Sequence, residues 1–267
     1  MSPCLCGLFV TAAILLEPLL RHDRALIAGG LIIVTLLCWA WIVPMALDMY
    51  GPMTGPSAWM MTTNWDTTHI FLLWAMWAVM MAGMMLPSAA PLLLLYGEAL
   101  RRRPDTERAV SRVYAMAGGY LIVWAAFSVA ATLMQRVLSE WLVLTPMMEM
   151  ARPPAIAAVL ALAGVYQLTP LKQMCLGRCR SPLSFLMQRW RNGTGGALRM
   201  GIEHAIYCLG CCCALMLLIF AGGVMNLVVI AALTMFVLIE KVAPFGQWTS
   251  RVTGLALIAL AAWVLVR

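Results

Sequence analysis

Residues 202–222 read IEHAIYCLGCCCALMLLIFAG. After Glu203 and His204 the run carries no acidic or basic side chain as far as Gly222, yet it holds four cysteines. About 20 apolar residues in a helix span the ~30 Å hydrocarbon layer of a bilayer, so this stretch reads as a membrane helix. The whole chain supports that reading. It has 267 residues, 63% of them hydrophobic and 11% charged, with a mean hydropathy of +0.90. Soluble domains carry roughly 25% charged residues. A chain this apolar cannot cover its surface in water, and the bilayer is its solvent.

Working outward, seven runs have the length of a span: 25–43, 69–96, 112–135, 154–171, 202–222, 224–240 and 250–266. The expected fold is all-α, a polytopic bundle of about seven transmembrane helices forming one domain over 21–267. Residues 1–20 stand apart as an interfacial or additional N-terminal segment, because Glu17 and Pro18 interrupt their apolar run. No basic stretch precedes that run and no small-residue cleavage site follows it, so it does not read as a cleavable leader.

Charge sets the orientation. The net charge of +7 does not call for nucleic acid, because the basic residues lie in short loops between apolar runs. Fifteen of the 18 basic residues fall on one side of the seven-span arrangement, leaving Arg136, Arg152 and Arg267 on the other. The positive-inside rule then places the N-terminus in the cytoplasm and the C-terminus outside, as expected of a multi-pass protein of a bacterial inner membrane. In SPLSFLMQRW (181–190), Ser181 suits a cap and Pro182 the first helical position. Leu183, Leu186, Met187 and Trp190 would share one face of a short helix lying on the inner leaflet.

Soft donors mark the candidate site. His204, Cys208 and Cys212 are spaced i, i+4, i+8, and Cys211 at i+7 joins their face. Imidazole and thiolate suit Cu(I), with Zn(II) second. A histidine inside a span is costly, and its position in phase with the thiols argues for a role. The alternative for the cysteines is small-residue packing, which is the reading for Cys213 and Cys38. Methionine adds a second signal. Ten of 22 methionines lie between Met45 and Met85. Met76, Met80 and Met84 form an i, i+4, i+8 stripe below His69, and Asp48, Asp66, Met45, Met49, Met53, Met60 and Met61 lie in or beside the outer loop. Thioethers select Cu(I) over hard cations. By helical rise, Met84 lies about 22 Å from the outer face and Cys208 roughly 12 Å from the inner one. The second and fifth spans are therefore expected side by side, with Pro87 and Pro91 kinking the second. A third signal is Cys175 and Cys179, a C-x-x-x-C pair flanked by Lys172, Arg178 and Arg180. Glu240 and Lys241 read as structural, pairing with Glu98 or loop arginines.

Five blocks together resemble a known family: LLWAMWAVMMAGMMLPSAAPLLLLY (72–96), GGYLIVWAAFSVAATL (118–133), YQLTPLKQMCLGRCRSPLSF (166–185), GIEHAIYCLGCCCALM (201–216) and FVLIEKVAPFGQW (236–248). It is a bacterial family catalogued as predicted metal-binding integral membrane proteins, sometimes labelled copper chaperones. The resemblance runs from Arg21 to Trp263 and implies metal ligands at Cys175, Cys179, His204, Cys208, Cys211 and Cys212. The chain extends upstream of that range.

The expected function is non-enzymatic: binding, relay or delivery of a soft metal ion, Cu(I) foremost. His69 and the outer methionines would gather it and Met76, Met80 and Met84 would pass it inward. Cys208, Cys211, Cys212 and His204 would hold it, with Cys175 and Cys179 as the inner exchange pair. A copper chaperone or cuproenzyme would be the partner. Two alternatives are a transmembrane thiol–disulfide oxidoreductase and a structural or assembly subunit without a metal.

Overall fold

A computed structural model describes residues 4–51, 65–103, 109–141, 144–145, 148–243 and 245–266, with 4–23 described as backbone only. Met53, Met60 and Met61, and the side chains of Cys4 and Cys6, lie outside the described residues. The chain is all-α: α1 (Cys4–Met49), α2 (Thr67–Arg101), α3 (Ala109–Glu140), α4 (Pro153–Leu168), α5 (Pro170–Arg180), α6 (Pro182–Arg189), α7 (Gly193–Gly222), α8 (Leu227–Val242) and α9 (Gly246–Val266).

Among the described residues, five helices are long and apolar enough to cross a membrane: α2, α3, α7, α9 and the Arg24–Met49 part of α1. A sixth span results if α4 and α5 count together, and that pair is bent by 65°. The expected seven are thus five to six. Two physical reasons account for the difference. The fourth run breaks at Thr169–Pro170, where Pro170 lacks the N–H that would continue α4 and the Thr169 hydroxyl caps α5 by accepting from the Lys172 N–H at 3.3 Å. The sixth run yields α8, only 16 residues long, or about 24 Å. Asn226 starts it late by accepting from the N–H groups of Val228 and Val229.

Position in the bundle follows from burial. In the best spanning window, half the residues of α2 and of α7 are buried, against 17% in α1 and α9. α2 and α7 are central, while α1 and α9 turn leucines such as Leu36, Leu37, Leu255 and Leu260 outward. The second and fifth spans are nonetheless not the expected pair: α2 packs against α1, α3 and α8, and α7 against α3, α5 and α4. Glycine chooses the neighbours. A methyl on Gly201 would sit 1.9 Å from the Met116 carbonyl oxygen, and one on Gly119 would sit 2.1 Å from that of Leu198. α3 and α7 therefore touch backbone to backbone, as small residues permit in membrane bundles. Gly164 and Gly254 do the same for α4 and α9.

α2 runs as one helix through Pro87 and Pro91. Pro87 leaves the Gly83 carbonyl without its helical donor, and Trp39 Nε1 of α1 supplies one at 3.3 Å. Cys38 packs at the same place, its Cβ 3.0 Å from where a Gly83 methyl would stand. On α6 the expected apolar face is divided: Phe185 and Leu186 are buried, while Leu183 and Met187 are exposed. Ser181 holds the cap position without a side-chain hydrogen bond.

Candidate metal centre

The thiols of Cys208, Cys211 and Cys212 gather on one side of α7. Their sulfurs all lie within 4.8 Å of one another and the residues are buried. Helical spacing alone produces this cluster, since i, i+3 and i+4 share a face. The Cys211 and Cys212 thiols donate to the Cys208 carbonyl at 3.0 and 2.9 Å, which turns both sulfurs back toward Cys208.

Tertiary packing adds a fourth thiol. Cys179 near the end of α5 is buried, and its sulfur is 4.0 Å from that of Cys211. Cys175, one turn earlier, is half-buried and faces Gly210, where a methyl would stand 2.7 Å from its sulfur.

Other helices contribute three polar groups: Ser88 and Tyr120, which the sequence did not single out, and Lys241, which it marked as structural only. Lys241 of α8 is buried and donates from Nζ to Cys208 Sγ and to Ser88 Oγ, both at 2.8 Å. Tyr120 of α3 is buried, hydrogen-bonds Cys208 Sγ at 3.0 Å and donates to the Met85 carbonyl at 3.1 Å. Ser88 donates to the same carbonyl at 2.7 Å. Met85 of α2 is therefore two hydrogen bonds from Cys208, although α2 and α7 are not paired. Lys241 does not join Glu98, which pairs with Arg101 and Arg102 instead. Glu240 turns the other way, toward Lys172 of α5, and their ion pair at 2.8 Å is almost wholly buried. Adjacent residues of α8 thus hold the cysteine helix and the helix carrying Cys179. The available signal for this was an ionisable pair ending an apolar run, where burial demands partners.

His204 is buried one turn before Cys208. Its ring stacks on Tyr120 with centroids 5.9 Å apart and meets the edge of Phe185 at 5.3 Å. It stands outside the three-thiol group, and its Nδ1 has no hydrogen-bond partner among the described residues. Together with Ser88, Cys179 and Lys241 it lines a cavity of about 170 Å³.

The methionine stripe is remote from solvent. Met76, Met80 and Met84 are all buried along α2. His69 is buried at the start of that helix, its N–H bound to Asp66 Oδ1 at 2.8 Å and its ring against Trp65 at 5.0 Å.

The donor set fits a thiophilic ion. With metal–sulfur bonds near 2.3 Å, two sulfurs across a linear centre are about 4.6 Å apart and those of a trigonal one about 4.0 Å. Both spacings are compatible with three sulfurs within 4.8 Å of each other. Bound thiolates are anionic, and the Lys241 ammonium supplies a positive charge in contact with one of them.

Residues 74–264 match the copper-chaperone family PpoB2, a range that holds the four thiols, His204, Tyr120, Ser88 and Lys241 but not His69. No curated protein and no solved structure matches the chain. The chain belongs to the PpoB2 copper-chaperone family.

Proposed function

We propose that this protein binds Cu(I) within the membrane at Cys208, Cys211 and Cys212 and passes it on by ligand exchange. The observation that carries the reading is the convergence of three buried sulfurs, with a fourth 4.0 Å away on another helix. All-thiol coordination favours Cu(I) over hard cations. A structural zinc site would close four ligands around one point, whereas among the described residues three cysteine donors approach each other mutually.

In this reading the protein sits in a bacterial inner membrane with its basic loops inside. His69, Met76, Met80 and Met84 form the outer limb of the path, and Cys175 and Cys179 the inner one. His204 lines the chamber beneath the thiols. The ion is cargo, received from one partner and released to a copper chaperone or cuproenzyme. The exchange does no covalent chemistry on a substrate.

Elemental analysis of protein purified without chelator tests this. Copper should accompany the natural protein and be lost from the Cys208→Ser/Cys212→Ser variant. Equal copper in both refutes the proposal. The 4.0 Å approach of Cys179 and Cys211 favours one second reading, thiol–disulfide exchange. A mixed disulfide trapped at either residue in metal-free membranes would favour it over copper transfer.

A further inference from the structure

Below the thiol cluster lies the 170 Å³ cavity. A water molecule's share of liquid volume is about 30 Å³, so the space is that of roughly six waters, enough for one two- or three-carbon arm of a larger complex. Ser88, Cys179, His204 and Lys241 form its buried wall, while Pro91 and Val242 at its rim are exposed. Two of its nine lining residues are basic, Arg180 and Lys241, and none is acidic. Arg180 is held in place by donating to the Ala243 carbonyl at 2.6 Å. A buried imidazole nitrogen without a partner, His204 Nδ1, belongs to the same wall. The cavity reaches the cluster through sulfur at Cys179, which lines it and lies against Cys211, while Lys241 in the same wall touches Cys208.

We infer that this cavity is a docking site for a small anionic thiolate complex of Cu(I), and that Cys179 is the first residue to take the metal from it. The inference rests on the copper reading above and specifies the chemical form of the cargo. Each step exchanges one thiol for another. The Cys179 sulfur bonds to the metal of a bis-thiolate complex, one bond from the metal to the carrier sulfur breaks, and the Cys179 proton leaves with the departing carrier thiol. Cys211 then displaces the second carrier in the same way. Copper remains Cu(I) throughout, two carrier thiols are released, and the two-coordinate centre keeps a single negative charge. Lys241 carries one positive charge beside Cys208, the next sulfur in the row. A bare cation would meet two like charges in this cavity, and a complex of neutral carriers would bring only the single negative charge of its bis-thiolate centre. A complex with an anionic carrier is drawn in.

The test compares two carriers that share a two-carbon thiol arm and carry opposite head-group charges, 2-mercaptoethanesulfonate and 2-aminoethanethiol; the sulfonate is the bulkier, so size alone would favour the amine. Full-length protein in detergent micelles is mixed anaerobically with the Cu(I) complex of each, and protein-bound copper is followed after rapid desalting. The expected result is loading at least about tenfold faster from the sulfonate carrier, the range that electrostatic steering supplies. Arg180→Gln should reduce that preference and Val242→Trp, which fills the mouth, should slow loading from it. Cys179→Ser should slow loading from both carriers. If the natural protein fills from both carriers at the same rate, or if Arg180→Gln and Val242→Trp both behave like it, the docking inference is overturned and the copper reading stands. If it retains no copper from either carrier, both fall.

Discussion

A single methyl group on Gly201 tests the geometry on which the centre depends. In Gly201→Ala the new carbon would sit 1.9 Å from the Met116 carbonyl oxygen and 2.8 Å from the carbonyl carbon. Carbon and oxygen approach to about 3.3–3.6 Å in close helix contacts, so α3 and α7 must part by roughly 1.4 Å. Backbone atoms on both sides oppose the methyl, so no flexible side chain can swing away instead. Tyr120 stands one turn from Met116 on α3, and its contact with Cys208 Sγ, now 3.0 Å, would open to about 4.4 Å, beyond hydrogen-bond reach. Overpacking of this kind costs about 1–3 kcal/mol, and the lost hydrogen bond about 1 kcal/mol more. Gly119→Ala meets Leu198 across the same interface and is relieved by the same separation. The double variant should therefore cost clearly less than the sum of the singles. Denaturant titration of the micelle-bound protein reads the stability, and alkylation of Cys208 under native conditions reads the opening. Unchanged stability and unchanged thiol protection in both single variants would refute the backbone contact.

Two further perturbations probe the supports around the centre. Glu240→Gln leaves the fully buried Lys172 ammonium without its carboxylate, which should cost about 3–5 kcal/mol. Replacing both members by methionine should restore most of that stability, and a Glu240→Gln variant that unfolds like the natural protein would dismiss the ion pair. At the other end of the bundle, just past α1, Tyr50 donates to Glu149 Oε1 at 2.7 Å. Burial first, then the hydrogen bond and charge of Glu149, push its phenol up to about 12. A raised value means that the folded state holds the proton more tightly. The contribution to stability is complete below the ordinary tyrosine value near 10 and is lost as pH rises toward 12. Ultraviolet titration against Tyr50→Phe should show this late ionisation, and Glu149→Gln should bring it earlier.

Much of the candidate site was legible because an α-helix fixes which side chains share a face. The positions of Cys208, Cys211 and Cys212 in the chain were enough to predict one cluster, and the structure brings their sulfurs within 4.8 Å. His204 was expected in the same stripe, and it stands there, but with its ring on Tyr120 and Phe185. Met76, Met80 and Met84 form their stripe as well, yet on a helix whose main backbone neighbours are others and which touches α7 through the ring pair of Trp77 and Phe220. Helical rise gives an expected depth for each donor, but it carries no information on lateral position. Two residues at the same depth can lie on opposite sides of a bundle.

The sequence by itself determined that the chain is helical and apolar enough for a membrane, roughly where most of its helices run, although α1 and α7 begin well before the expected runs, and which sulfur and nitrogen donors lie on one face. These are consequences of hydrogen bonding and side-chain period within a single segment. Tertiary structure alone decided that α3 stands beside α7, that Cys179 meets Cys211, and that Lys241 and Tyr120 reach Cys208. The physical reason is that neighbours are selected by close approach between distant segments. Missing side chains at Gly119 and Gly201, and buried charges at Lys241 and Glu240 that must find partners, select them. The result depends on every other helix in the bundle.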